Sequence, residues 1–158
     1  MLRRTPLSSP GRSPQPPLLF LGCLLLGVGL RFIRPLHLGL PLTVRLSLGA
    51  PLLLLVAIHG GWGLLTFKRK GTTPEPNGVA SALLTSGPFR WTRNPLYLGL
   101  AVLFVCFGVL LDSAWMLGLT PVLVLLLDRL VIAREELRLR AQFGEEYEAY
   151  TRRVRRWL

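Results

Sequence analysis

From Leu96 to Leu127 the chain runs for 32 residues with a single charge, Asp112. As one helix this run would reach about 48 Å, against a bilayer hydrocarbon core of about 30 Å. It therefore has to fold back on itself, and Asp112-Ser113 is the polar point at which it can turn. The expectation is a helical hairpin: one helix from Pro95 to Leu111 and a second from Ala114 to about Ala133, with short arms that imply tilt or local thinning of the bilayer.

Two further apolar stretches complete the pattern. Pro17 to Leu30 is apolar throughout and ends at Arg31, and a longer stretch from Leu46 to Phe67 stops at Lys68-Arg69-Lys70. The first has the basic flank and short apolar core of a signal peptide, but Arg31-Phe32-Ile33-Arg34 replaces a cleavage site, so it reads as a membrane helix. The fold expected is an all-α integral membrane bundle of about four transmembrane helices. Residues 1–16, with Arg3, Arg4, Arg12 and four prolines, read as a disordered basic tail, and 17–158 as a single membrane domain.

Composition agrees. Of 158 residues, 51% are hydrophobic and 17% charged, too few polar groups for the surface of a small soluble domain. Nineteen Lys and Arg against eight Asp and Glu give a net charge of +11, and disorder of the whole chain is excluded by the apolar content. A nucleic-acid-binding domain would spread such cations over a polar surface; here they fall between spans, so no nucleic-acid partner is expected. Three Arg precede the first span, five cations lie between Lys68 and Arg93, eight Arg follow from Arg129, and the hairpin tip has none. By the positive-inside rule the termini and the 68–94 loop face the cytoplasm, most simply across the cytoplasmic membrane, with Arg31, Arg34 and Arg45 on the opposite side.

Cys23 and Cys106 lie in apolar runs without disulfide or metal-ligand spacing, so they read as core residues and no metal is expected. The glycines of Gly27-Val28-Gly29 and Gly60-Gly61-Trp62-Gly63 also sit inside apolar runs, which suits close helix packing rather than a nucleotide loop. His59, ionisable and within a span, is either a site residue or a group hydrogen-bonded to a neighbouring helix.

Two segments carry chemistry. In the first, Ser86-Gly87-Pro88 is a turn, and Asn94-Pro95 reads as an N-cap with proline at the first helical position. Free N–H groups there, the helix dipole and Arg90 and Arg93 favour a bound anion; the same residues also read as a capped helix with a basic collar. In the second, Phe143, Tyr147, Tyr150, Val154 and Trp157 are spaced 4, 3, 4 and 3 apart. One apolar face results, on a C-terminal cytoplasmic amphipathic helix or helix pair along the membrane surface or over the bundle mouth. Glu135 and Glu136, beside an anionic leaflet, need cationic partners: Arg138 and Arg140, or a bound cationic ligand.

Together the two segments resemble the isoprenylcysteine carboxyl methyltransferase family and, more distantly, the phosphatidylethanolamine N-methyltransferases. The family pattern is approximately L-V-x-S-G-x-Y-x-W-x-R-H-P-x-Y-x-G, a hydrophobic hairpin, then E-E-x-x-L-x-x-x-F-G-x-x-Y-x-x-Y-x-x-x-V. Leu83-Leu84-Thr85-Ser86-Gly87-Pro88-Phe89-Arg90-Trp91-Thr92-Arg93-Asn94-Pro95-Leu96-Tyr97-Leu98-Gly99 answers the first part. Glu135-Glu136, Leu137 or Leu139, Phe143-Gly144, Tyr147, Tyr150 and Val154 answer the second, so the match spans residues 72–158.

The resemblance implies a methyltransferase using S-adenosylmethionine at the cytoplasmic face, contacted by Ser81, Ala82, Leu83, Leu84, Gly87, Phe89, Asn94, Pro95, Leu96, Tyr97 and Glu135. Glu135, Glu136 and Arg93 would carry the reaction, and Arg129, Arg134 and His59 would meet a lipophilic methyl acceptor. Ser81 stands where the eukaryotic enzymes tend to have His, Phe89 replaces Tyr, and Asn94 replaces the His of R-H-P. Val131 occupies the place of a substrate-holding arginine, which Arg129 or Arg134 could supply. Three functions are open: carboxyl O-methylation of an isoprenylcysteine-like acid, N-methylation of a phospholipid amine with Glu136 or His59 as base, or a non-catalytic scaffold of the same fold.

Overall fold

A computed structural model of the chain describes residues 13–73 and 80–158. The described residues are helical, without strands: α1 is Pro16–Ile33, α2 Leu42–Arg69, α3 Pro95–Leu110, α4 Ala114–Leu126, α5 Ala133–Phe143 and α6 Glu145–Thr151. A single 3-10 turn, Gly87–Arg90, precedes α3, and a π-helical segment, Leu127–Ile132, joins α4 to α5 without a break. Three helices are long and apolar enough to cross a membrane: α1, α2 and the continuous helix Ala114–Phe143; α3 is a shorter apolar helix of 16 residues.

The expected apolar helices are present with shifted ends, and three of the four are long enough to span. α1 and α2 run beyond 17–30 and 46–67, because basic side chains at a helix end can snorkel while the backbone keeps its hydrogen bonds. The fourth helix does not stop near Ala133. Residues 133–143 are good helix formers, and the first break comes at Gly144, which takes a positive φ of 52°. The C-terminal extension is also not one amphipathic face. Tyr147 and Tyr150 are buried on α6, but the chain leaves the helix after Thr151, so Val154 and Trp157 belong to an irregular tail. Of the expected disordered tail, residues 1–12 lie outside the described residues; Ser13 is buried and its Oγ accepts from Arg138 Nη2 at 2.5 Å.

α3 packs on α2 and turns back into α4, which α1 covers. Phe104, Met116, Leu123, Leu127, Val131 and Ile132 are fully buried at the centre, and Phe20 meets Phe104 edge-on at 5.6 Å. Two glycines allow the close approach. A Cβ on Gly49 would run into Leu110, and one on Gly63 would lie 2.9 Å from Leu96. The second contact fixes a level: the start of α3 sits beside Gly63, six residues and about 9 Å before α2 ends. The mouth between α3 and α5 is therefore recessed below the end of α2.

At the opposite end, the three arginines outside the charge pattern acquire a role. Arg31 donates to the carbonyls of Leu111 and, at 2.9 Å, Asp112; Arg45 reaches that of Leu110 at 3.5 Å. These are carbonyls that a helix end leaves without intrahelical partners, and cations favour that end of the dipole. Arg34 joins through its own carbonyl, which accepts from Trp115 Nε1 at 2.7 Å. Asp112, at φ 52°, accepts the Leu40 N–H at 3.2 Å and lies 3.4 Å from His37.

Two predictions follow from this packing. Gly49→Val should separate α2 from α3 and lower stability by about 1–3 kcal/mol, whereas Gly60→Ala, with open space around the new methyl, should be neutral or slightly stabilising. Thermal unfolding in detergent would compare them. Desolvation opposes ionisation of Asp112, but the Leu40 N–H, Arg45 and His37 outweigh it and hold the carboxyl below its ordinary 3.8. Its contribution is present above the ordinary carboxylate range and is lost as pH falls through the lowered value. Asp112→Asn should melt below wild type at neutral pH, with the gap narrowing as the pH drops below about 4.

Candidate functional site

The recessed mouth is a cleft of about 740 Å³ including its open side, walled by the 80–94 segment, α5 and α6. Local sequence builds the wall. Gly87 has φ 61°, and any Cβ there would come within 2.7 Å of Thr66 Oγ1 on α2, so only glycine lets the turn dock. Phe89 then meets Phe67 edge-on at 5.5 Å, and its carbonyl accepts from Tyr150 Oη at 2.7 Å. Ser81 ties the loop to the end of α2, donating from N to Thr72 Oγ1 at 3.1 Å and from Oγ to the Gly71 carbonyl at 2.9 Å.

Of the expected site residues, Ala82, Leu83, Leu84, Phe89, Arg93, Asn94, Glu135 and Glu136 line the cleft. Tyr97 stands behind it and donates to Glu135 Oε2 at 3.0 Å. Ser81, Gly87, Pro95 and Leu96 support the wall without lining it. Arg129 is 75% exposed beside Asp128, and neither Arg129 nor Arg134 lines the cleft. His59 lies elsewhere, in an apolar groove of about 310 Å³ with Leu55, Val56, Leu98, Gly99 and Val102, its Nε2 buried without a partner. Asn94 precedes α3, with Pro95 at the first position, but its side chain caps nothing. Its amide Nδ2 instead donates to the Arg156 carbonyl at 2.9 Å.

That bond belongs to a network absent from the sequence reading. The tail doubles back beneath the loop: the Arg155 carbonyl accepts the Arg93 N–H at 3.0 Å, and that of Arg156 also accepts from Thr92 Oγ1 at 3.1 Å. The Arg156 guanidinium bridges two carboxylates. It donates Nε to Glu136 Oε1 at 3.1 Å and Nη2 to Oε2 at 2.5 Å, while Nη1 reaches both oxygens of Asp128 at 3.2 and 3.1 Å. Trp157 Nε1 completes Asp128 at 3.0 Å, and Arg93 Nη2 adds a third contact to Glu136, 3.1 Å from Oε1. Asp128 could have been suspected as the carboxylate directly after the uncharged run; nothing marked Arg156 among eight arginines.

The electrostatics are consistent with this pairing. Hydrogen bonds to Glu136 raise Arg156, keeping it a cation. Burial, reinforced by the charge on Glu136, pushes Tyr147 up to about 12, and burial also raises Tyr150, so both phenols remain hydrogen-bond donors. Arg93 is left with a buried Nε without a partner among the described residues, on a side chain only 13% exposed that lines the cleft. An apolar wall, one orphaned cationic donor and the Glu135 carboxylate opposite suit a ligand bearing both a cation and an anion. Among the described residues, no cluster of three or more His, Cys, Asp or Glu is placed for a metal ion.

Comparison with known proteins agrees with the chain's own features. A family model described as phospholipid methyltransferase matches residues 44–146, which include all the residues lining the cleft except Tyr147 and Tyr150 of α6. An uncharacterized protein of Haemophilus influenzae is 38% identical over 65 residues, 40% of this chain and the whole of that protein. No solved structure matches the chain. The family includes isoprenylcysteine carboxyl methyltransferase-like proteins, in line with the motifs around the hairpin. An all-helical apolar bundle with this cleft, matched over residues 44–146, belongs to the phospholipid methyltransferase family, membrane enzymes that methylate lipid-like substrates.

Proposed function

We propose that the chain transfers a methyl group from S-adenosylmethionine to an acidic, lipophilic acceptor at the cytoplasmic edge of the membrane, by carboxyl O-methylation of an isoprenylcysteine-like molecule. When bound, S-adenosylmethionine supplies an electrophilic methyl group on a cationic sulfonium. Glu135 would complement that cation, Arg93 would take the amino-acid carboxylate, and Ala82, Leu83, Leu84 and Phe89 would hold the apolar parts. Ser81, Gly87, Asn94, Pro95, Leu96 and Tyr97 keep those residues in place. The apolar part of the recessed mouth would limit water around the reacting groups, which favours a reaction in which opposite charges disperse.

The observation that carries the choice of acceptor is the state of the carboxylates. A phospholipid ammonium has to lose a proton before it can attack, and that needs a base with a free oxygen. Both oxygens of Glu136 are held by Arg156 and one also by Arg93, and His59 lies in a different groove; Glu135 accepts from Tyr97 through Oε2 alone, and in this reading its carboxylate is engaged by the sulfonium. An acceptor that is already an anion needs none of them as base. Phosphatidylethanolamine N-methylation is the second reading, favoured by the description of the matching family.

Purified protein in nanodiscs with methyl-labelled S-adenosylmethionine would be offered a farnesylcysteine derivative and, separately, phosphatidylethanolamine. The expected product is a base-labile methyl ester on the first; a base-stable methylamine on the second would establish the alternative. No transfer and no S-adenosylmethionine binding by calorimetry would leave only a scaffold. Glu135→Ala should abolish measurable binding, and Tyr97→Phe, which loses one hydrogen bond to that carboxylate, should slow transfer by up to about tenfold.

We also propose that both termini are cytoplasmic. With Cys23 and Cys106 replaced, an impermeant thiol reagent added outside cells should label Leu36→Cys, in the α1–α2 connection, and spare Arg152→Cys. The reverse pattern would invert the topology. Ser113, at the tip, is fully buried and would be a poor probe.

A further inference from the structure

Resting on the reading above, we infer that the C-terminal tail forms part of the ligand site: Arg156 is a positioning residue that keeps the Nε of Arg93 free to bind the carboxylate of the methyl donor. The argument starts from how Glu136 is shared. It is buried, and two guanidinium groups compete for its two oxygens. Arg156 takes both, Nε on Oε1 at 3.1 Å and Nη2 on Oε2 at 2.5 Å, the side-by-side fork that suits a carboxylate best. Arg93 is left with one contact to Glu136, Nη2 to Oε1 at 3.1 Å, and its Nε stays buried and without a partner among the described residues, on a side chain that lines the cleft.

Asp128 sets Arg156 in this pose by accepting Nη1 with both oxygens, and it is itself fixed by Trp157 Nε1. Glu136 keeps both oxygens paired through Arg156 alone, so an anion arriving at the Nε of Arg93 does not have to displace it. Without Arg156, Glu136 would have Oε2 unpartnered in a buried place. The nearest cation able to form the fork is Arg93, which would turn its Nε from the cleft to Glu136. The tail would thus control affinity for the amino-acid end of the ligand without touching it.

The test uses two ligands with the same adenosine thioether: S-adenosylhomocysteine, which carries the amino acid, and methylthioadenosine, which does not. Calorimetry on the full chain in detergent should show wild type preferring S-adenosylhomocysteine. Arg156→Gln should weaken S-adenosylhomocysteine at least tenfold and leave methylthioadenosine within about twofold, collapsing the preference. Adding Glu136→Gln to Arg156→Gln removes the competitor for Arg93 and should restore most of the loss. A merely structural tail would weaken both ligands together and would not be rescued, and either result overturns the inference, as does wild-type binding by Arg156→Gln. If wild type binds neither ligand, the functional reading falls and this inference with it. If wild type binds both equally, the inference falls while donor binding stands.

Discussion

A carboxylate buried between two guanidinium groups holds the functional end of this molecule together. Glu136 comes from α5, Arg93 from the loop before α3 and Arg156 from the tail, so one side chain joins three parts of the chain far apart in sequence. Its burial makes the arrangement demanding. A carboxylate out of water is costly unless well paired, and removing one partner of a buried pair typically costs about 3–5 kcal/mol. Here the pairing is redundant at Glu136 and extended by Asp128, so the charges close on themselves and the tail is held against the mouth. The wall of the cleft takes its shape from that closure: the Arg156 carbonyl receives Thr92 and Asn94, and α6 brings Tyr150 to the Phe89 carbonyl.

The bundle explains why the site is recessed. α3 has 16 residues, about 24 Å, and cannot match the 28 residues of α2 beside it. The shortfall falls at both ends: Leu110 lies beside Gly49, seven residues after α2 begins, and Leu96 beside Gly63, six residues before it ends, while Arg31 and Arg45 satisfy the last carbonyls of α3 at the hairpin tip. The loop before α3 therefore dips between α2 and α5, carrying Arg93 and Asn94 below the level at which α2 ends. The continuous 30-residue helix from Ala114 to Phe143 forms the opposite wall and carries Glu135 and Glu136 at the level of that dip. In the proposed function, a lipophilic acceptor from the bilayer and a polar donor from the aqueous side would meet at such a step.

Much of this was legible from residue order. The uncharged run could only be a hairpin, Asn94-Pro95 could only begin a helix, and the motifs on either side of the hairpin placed eight residues that do line the cleft. The failures share a cause. Asn94 has the chemistry of an N-cap, but a neighbouring carbonyl from the tail outcompeted its own helix for the amide. The 4, 3, 4, 3 spacing of aromatics was real as far as Tyr150, yet Trp157 is half-buried and held by Asp128, not by a helical face. Arg129 satisfied a pattern by position and points away. His59 is within a span, as read, but in a groove separate from the cleft.

What the sequence determined by itself is what depends on short-range rules: the order of the apolar helices, the turn at Asp112, the start of α3 at Pro95, the glycine at 87 that a positive φ demands, and the membrane as solvent. What only the tertiary structure decided is which charge meets which. Eight arginines lie from Arg129 onward, and any could neutralise a glutamate by composition. Coulomb attraction is not selective about sequence position, and only the return of the tail beneath the α3 loop gives Arg156, and not its neighbours, both oxygens of Glu136. The difference is one of range. Helix formation is settled within a few residues, whereas pairing of buried ions is settled by contacts 20 and 28 residues apart that the packed bundle alone brings together.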